Sequence, residues 1–562
     1  RKAVLIDEWA ITLILDPRGP FTRDNPVLTV LEYLPAGAVH RVKTGGSIVC
    51  IGAGGGLDLA TALYFGQQRA VGVEINHVIV EAMKGRRFAE REYPAFSGQL
   101  YLDPRVEAVA AEGRHFLERT PEKFDIIQLS GVDTHSATEA GAFSLAENFL
   151  YTVEAFQAYF ARLKPGGILT LTRWMLLRDG MPTQSLRLFT LACESLRRAG
   201  VADPGRHLYY FRSGIFAILL LSVEPFAPEA LAALDGLVEA HGYDPLHRPH
   251  QAEPDAILIR RPGPGRTFTI PNLYQRYLEA LATGPAAVAA FHADYPFNVA
   301  PPTDDRPFFF EDHKFESLWR KDNLINPLGG LSSHATLALL FLGALVAGYG
   351  FLCAPLRRLS SLGIGGAPRS VVAAYFGAIG LAYLLVEIPL SQRFILFLGQ
   401  PAHALTVILF SLLVFSGLGS FVAGRLGRGL AGKAALASLL AAALAVVLLL
   451  ALPAVLATCL GLALPARVAI SVGLLAPLGF LMGFPFPLGI RLMESSGTGA
   501  AVPWAWAMNG YASVLASVGA VILGITWGFT TAVLIAAACY VAAAAIAPAL
   551  GRGGTAAGSG SG

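Results

Sequence analysis

The residues best placed for chemistry begin with a glycine turn and an acid. Gly52-Ala53-Gly54-Gly55-Gly56 follows the apolar run SIVCI and opens a helical stretch. Glycines let a backbone approach a ligand closely, and the start of a helix favours polar or negative groups. Such turns also serve plain strand–helix packing. Glu74 distinguishes this one: it ends the next apolar run about 20 residues beyond the turn, a placement that suits the two hydroxyls of a ribose. Glu112 and Gly113 follow a third run, where an adenine would lie. After a fourth run, ending at Ser130, come Asp133, His135, Glu139 and Glu147. They fall on the connection over the C-terminal edge of the sheet, where open α/β sheets bind ligands. His135 titrates near neutrality, so it is a candidate base.

The elements that must position these groups are legible as alternating strands and helices. Strands are expected at VLIDEW, AITLIL, SIVCIG, RAVGVEI, VEAVAAEG, FDIIQLS, GILTLTRW and IFAILLLS. Helices are expected after the glycine turn and at NHVIVEAMKGRRFAEREY, SLAENFLYTVEAFQAYFARL and SLRLFTLACESLRRAG, the third closed by Lys164-Pro165-Gly166-Gly167. This alternation predicts an α/β fold with a parallel doubly wound sheet. The expected divisions are a short β segment over 1–30, the Rossmann-like domain over 31–260 and a Pro-rich connector over 261–334. A transmembrane domain over 335–550 and a flexible tail or linker over 551–562 complete the chain. In the connector, Thr303-Asp304-Asp305-Arg306-Pro307 reads as a turn with salt-bridged acids, followed by a Phe triplet at the membrane interface. The sequence opens at Arg1 almost directly on a strand, as a longer precursor would after losing its start.

Composition separates the two parts. Hydrophobic residues make up 54%, charged residues 15%, and mean hydropathy is +0.52. That is far below the roughly 25% charge of soluble domains. Nearly all acids precede residue 325; Glu387 and Glu494 are the only later ones. Seven spans are expected, near 335–355, 370–393, 401–424, 433–459, 464–488, 504–527 and 529–550, each about the 20 residues needed to cross a bilayer. The net charge of +3, with no basic run, argues against a nucleic-acid partner. Five scattered cysteines lack metal spacing and read as buried small hydrophobes, so no metal is expected. Within the spans, Glu387, Gln392 and Arg393, with His403 opening the next span, form a candidate polar cluster for a substrate head group. Asn509 reads as an interhelical hydrogen-bond donor.

The strings IGAGGGLDLATAL, GVEIN, DPRVEAVAAEGRHFL, KFDIIQLSGVD and LKPGGIL resemble the spermidine synthase branch of the class I transferases that use S-adenosylmethionine (SAM), over about residues 45–172. EIPLSQRFILFLGQP, GFPFPLGIR and PWAWAMNGYASVLASVGAV resemble the multispan regions of its membrane-fused members. The resemblance implies a Rossmann-like fold of the SAM methyltransferase and spermidine synthase type, followed by an all-α multispan domain. It implies SAM or decarboxylated SAM as co-substrate, held by Gly52, Gly54, Gly56, Asp58, Glu74, Glu112, Gly113 and Ser130. Asp133 stands at a family acid and would face the acceptor or the donor's amino end, beside His135. Two family carboxylates are replaced: Gly55 stands in the glycine turn and Ser130 after the fourth strand, with Asp58 the nearest acid to the first. A primary amine has a pKa near 10 and needs a base before it attacks, so methyl transfer competes with aminopropyl transfer here.

The expected acceptor is an amine, a polyamine or a lipid-linked group, in contact with membrane lipids; a homo-oligomer is allowed. A transporter or scaffold carrying a degenerate nucleoside-binding domain is the alternative, and a dinucleotide oxidoreductase a weaker third. The resemblance puts the soluble domain on the cytoplasmic side of a bacterial-type inner membrane. Arg357, Arg358, Arg369, Arg425, Arg428, Lys433, Arg491 and Arg552 would then face away from the cytoplasm, against the usual bias of basic loops.

Overall fold

The computed structural model describes residues 2–6, 10–86, 92–132, 147–175, 177–178, 180–251, 254–260, 267–315, 332–355 and 369–551. Two compact units divide the chain, Arg1–His334 and Ala335–Gly562.

The first unit is organised by an eight-stranded mixed sheet. An antiparallel hairpin, β1 (Lys2–Ile6) and β2 (Ala10–Ile14), precedes it. Then come β3 (Ser47–Ile51), β4 (Arg69–Glu74), β5 (Val106–Ala110), β6 (Phe124–Ser130) and β7 (Leu163–Trp174). A small pair, β8 (Leu177–Arg178) and β9 (Met181–Pro182), leads on to β10 (Leu208–Ser213), β11 (Phe216–Leu221) and β12 (Asp244–His247). A second hairpin, β13 (Ala256–Arg260) and β14 (Thr267–Pro271), follows. The sheet order is β12-β10-β11-β7-β6-β3-β4-β5. The five strands from β5 to β7 run parallel, and β11 enters antiparallel between β7 and β10. Chain order reverses at β3 and β6, so their C-terminal ends flank the crevice where such sheets bind ligands. The central strands are buried on both faces, which is why they read as continuous apolar runs. Of the cysteines expected as buried, Cys50 and Cys193 are so, whereas Cys459 and Cys539 are only half-buried.

Nine helices accompany the sheet among the described residues: α1 (Leu57–Tyr64), α2 (His77–Met83), α3 (Glu92–Phe96), α4 (Gly113–Arg119), α5 (Val153–Arg162), α6 (Gln184–Arg198), α7 (Pro228–Ala240), α8 (Leu273–Thr283) and α9 (Pro285–Asp294). Two are shorter than their sequence pattern predicts. Asn76 caps α2, and the stretch breaks after Met83, where Gly85 takes a φ of +67°. Thr152 caps α5 by accepting from Ala155 N–H, so residues 147–152 stay outside the helix.

Residues expected as a connector belong to the same core. Ile270, Tyr274, Tyr277, Phe297, Phe309 and Phe310 pack with the sheet residues. The Phe triplet was expected at a membrane interface; its rings are instead buried in this unit, with Phe309 stacked on Tyr151 at 4.6 Å. An apolar triplet ahead of a span suits either location, and the packing partners decide. Buried Arg187 fixes the path of the segment by donating to the carbonyls of Ala300, Phe308, Phe309 and Glu311. Thr303–Arg306 forms the expected turn.

The second unit is helical: α10 (Ser333–Gly348, which begins within the first unit), α11 (Arg369–Leu398), α12 (Pro401–Arg425), α13 (Leu430–Cys459), α14 (Leu464–Met482), α15 (Pro485–Ser495), α16 (Val502–Trp527) and α17 (Phe529–Leu550). Seven stretches are long and apolar enough to cross a membrane, in the places expected. Asn509 donates to Phe376 O at 3.1 Å, and Ser513 to Gly380 O at 3.2 Å, joining α16 to α11. A side chain at Gly380 would run into the Asn509 carbonyl, so the small residue permits the contact. Arg491 donates to Ala423 O in the last turn of α12, and Arg467 to Phe397 O in the last turn of α11. Both cations therefore lie at the negative ends of helices.

Candidate functional site

The glycine turn sits between the end of β3 and α1, with Gly52, Gly54 and Gly56 at φ of +75°, +49° and +90°. Its amides are all engaged within the protein. Gly52 and Ala53 donate to Val73 O, Gly54 to Glu74 Oε2, Gly55 to Thr12 Oγ1 and Gly56 to Ala53 O. Thr12 comes from β2, so the N-terminal hairpin lies directly on the turn. A Cβ at Gly55 would stand 2.4 Å from Leu13 O, which leaves no room there for any side chain.

Glu74, only 6% exposed, ends β4 beside the turn. Its Oε2 accepts from Gly54 N–H and its Oε1 from Asn76 N–H, each at 2.9 Å. A carboxylate oxygen has two acceptor positions, so each keeps one for a ligand hydroxyl. Glu112 has a different part: it caps α4, accepting from Arg114 and His115 N–H at 3.1 and 2.7 Å. Burial pushes its carboxyl up, against those two amides. Gly113 packs so closely on β3 that a Cβ would lie 2.3 Å from Ile51. Its glycine is explained by helix–strand packing.

Across the switch point, the Asp58 carboxyl in the first turn of α1 reaches the end of β6. Burial pushes it up to about 6, opposed by the neighbouring Ser130 and Gln128 side chains. The carboxylate absent at position 130 is thus met by one arriving from α1. Further along the same edge stands Glu147, whose carboxyl burial pushes up to about 7. Asp133, His135 and Glu139 lie outside the described residues.

The surrounding frame was not legible in the sequence. Arg114 on α4 makes a two-pronged contact with Asp304, at 2.6 and 2.7 Å, and is also bonded to Thr152 and Glu118. Asn148 N–H donates to Pro307 O and Val153 N–H to Pro302 O. Residues 302–307 therefore run along the edge that carries Glu147.

The polar cluster expected in the second unit is not a compact pair. Glu387, Gln392 and Arg393 lie within α11, which continues to Leu398, and His403 is exposed in the first turn of α12. Arg393 donates to Thr530 Oγ1 at 3.0 Å. Among the described residues no ion pair joins Glu387 to Arg393. They are six positions apart, which sets their side chains about 120° apart around the helix.

Comparison with known proteins finds partial likenesses. Polyamine aminopropyltransferase 2 of Pseudomonas aeruginosa is 32% identical over 122 residues, 22% of this chain and 31% of the relative. Over that stretch the chain is similar to an aminopropyltransferase. Among solved structures, spermidine synthase from Thermotoga maritima is 21% identical, with a TM-score of 0.26, covering 36% of this chain and 65% of that one. A spermidine synthase in complex with the transition-state analogue AdoDATO is 22% identical, with a TM-score of 0.24, over 36% of this chain and 62% of that one. No family model matches the chain. The match thus spans about a third of the length of the curated relative.

Proposed function

We propose that the first unit binds SAM or decarboxylated SAM and transfers a group from it to an amine, polyamine or lipid-linked acceptor. The observation that carries the reading is the state of the glycine turn. Dinucleotide sites present turn amides to a pyrophosphate. Here the amides of residues 52–56 already have acceptors, while Glu74 retains capacity for hydroxyls. That arrangement suits a nucleoside without phosphates and weighs against a dinucleotide oxidoreductase.

In this reading Glu74 takes the ribose, and residues near Glu112 and Gly113 meet the adenine. Bound donor supplies an electrophilic carbon on a sulfonium sulfur. The acceptor's nitrogen forms a bond to that carbon, the carbon–sulfur bond breaks, and sulfur keeps the electron pair. The nitrogen's proton goes to a base. Asp58 and Glu147, carboxyls with raised pKa values, join Asp133 and His135 as candidates. The apolar helices would bring a lipid-soluble acceptor to the same chain.

Calorimetry on the detergent-purified chain tests this with SAM, decarboxylated SAM, methylthioadenosine and NAD. Micromolar binding of an adenosyl sulfur compound, absent for NAD and lost in Glu74→Ala, is expected; the preferred ligand tells methyl from aminopropyl transfer. Binding of NAD alone, or of none, overturns the reading. One observation favours transport as a second reading: Glu387 is a half-buried carboxylate inside an apolar helix with no ion pair among the described residues. Substrate flux in vesicles that falls in Glu387→Gln, without donor turnover, would support it.

A further inference from the structure

We propose that Glu311, His313 and His334 form a binding site for a divalent transition-metal ion of the zinc class. All three belong to the first unit, at the end of the segment held by Arg187 and at the start of α10. Their side chains are 0%, 5% and 2% exposed. One ligand atom from each lies within 4.8 Å of the others. Glu311 Oε1 is 2.9 Å from His334 Nδ1 and 3.3 Å from His313 Nδ1. Ligands held at 2.0–2.2 Å around a tetrahedral ion stand roughly 3.3–3.5 Å from one another, so both histidines already stand near that spacing from the carboxylate.

Hydrogen bonding alone accounts poorly for this arrangement. Glu311 Oε1 also accepts the His313 backbone N–H at 3.0 Å, so three nitrogens crowd one oxygen. His334 Nδ1, despite its closeness, is not aligned for a hydrogen bond to it. Neither ring nitrogen of His334 has a hydrogen-bond partner among the described residues. A buried imidazole left so is costly, whereas an ion takes its lone pair directly. The other Glu311 oxygen accepts from Ser333 Oγ, the kind of supporting contact that orients a ligating carboxylate.

Two imidazoles and a carboxylate favour zinc, or a neighbour in its row, over calcium or magnesium, which prefer oxygen. Asp312 Oδ1 lies 3.3 Å from His313 Nδ1 and 3.4 Å from Arg178, and Arg178 also contacts His313 Nε2. With an ion on Nδ1, Nε2 carries the ring's proton, and Arg178 must turn fully to Asp312. The fourth corner is left to water. The ion would tie residues 311–313 to the first turn of α10, a structural role separate from the donor site.

The test uses the full chain without a polyhistidine tag. Metal content is measured by elemental analysis, then Co2+ is titrated into chelator-stripped protein. One equivalent per chain is expected, with the intense visible absorption of tetrahedral Co2+. Both should be lost in His334→Ala and Glu311→Gln, and affinity should fall at least about 10-fold in Ser333→Ala, which keeps every ligand. No uptake by the wild-type chain overturns the proposal, whether or not the variants fold. Undiminished binding in both ligand variants overturns it equally, since the ion would then sit elsewhere.

Discussion

Asp304 holds Arg114 with both carboxylate oxygens across 190 residues of sequence. Arg114 is almost completely buried and Asp304 about one-third exposed, so removing the acid leaves a cation with little water to replace it. Asp304→Asn is expected to destabilise the first unit by roughly 2–4 kcal/mol, the lower part reflecting solvent at the acid. Arg114→Ala should cost a similar amount. The double variant should cost less than the sum, measured as a coupling energy from urea unfolding followed by near-ultraviolet circular dichroism. Additive losses would show that the two groups act independently.

Restoring the acid of soluble spermidine synthases at position 55 should fail. Gly55→Asp places a Cβ 2.4 Å from Leu13 O, so the N-terminal hairpin must lift from the turn. The expected result is faster proteolysis within residues 1–30, with donor binding weakened by about 10-fold or more. Gly52→Ala is the contrasting variant: its Cβ meets only Val132 methyls, at 3.1 Å, though its positive φ is still strained. Its hairpin should stay protected.

Asp58 predicts a pH dependence. Burial raises its pKa from 3.8 to about 6 in the folded state, so the folded chain binds the extra proton between those values. Its contribution to stability therefore falls as pH rises through that window, and the full penalty stands above it. Asp58→Asn should stabilise the first unit by roughly 1–3 kcal/mol at about pH 8 and by little at about pH 4. Ser130→Asp, which sets a second carboxylate against the first, should raise the Asp58 pKa further. Urea midpoints against pH measure both.

Arg187 cannot be replaced by another cation. Its flat fork reaches four carbonyls, and a lysine presents a single ammonium. Arg187→Lys should destabilise the unit by roughly 2–4 kcal/mol and open residues 300–311 to protease, read by the position of first cleavage.

Much of the geometry of the candidate site was readable because it is local. The glycine turn, Glu74 and the strand between them lie within 25 residues, and strand patterning fixed which ends share an edge. Asp58 was noticed only as the nearest acid; that it reaches Ser130 depends on the pairing of β3 with β6. The partnerships of Thr12 with Gly55, and of Asp304 with Arg114, join distant segments and leave no periodic trace. The same distance hid Glu311, His313 and His334, because metal spacing was sought among cysteines. The burial of the Phe triplet was missed for another reason: aromatic residues before a span suit a membrane interface as well as a core.

Glu74 is gripped at both oxygens by amides at the ends of two neighbouring strands. Its rotational freedom was surrendered when the sheet formed, so a ligand need not freeze it again. This half of the pocket should behave as a rigid socket, alike in its empty and filled forms. Differences in affinity among adenosyl compounds would then arise at the far end of the ligand, where the transferable group lies.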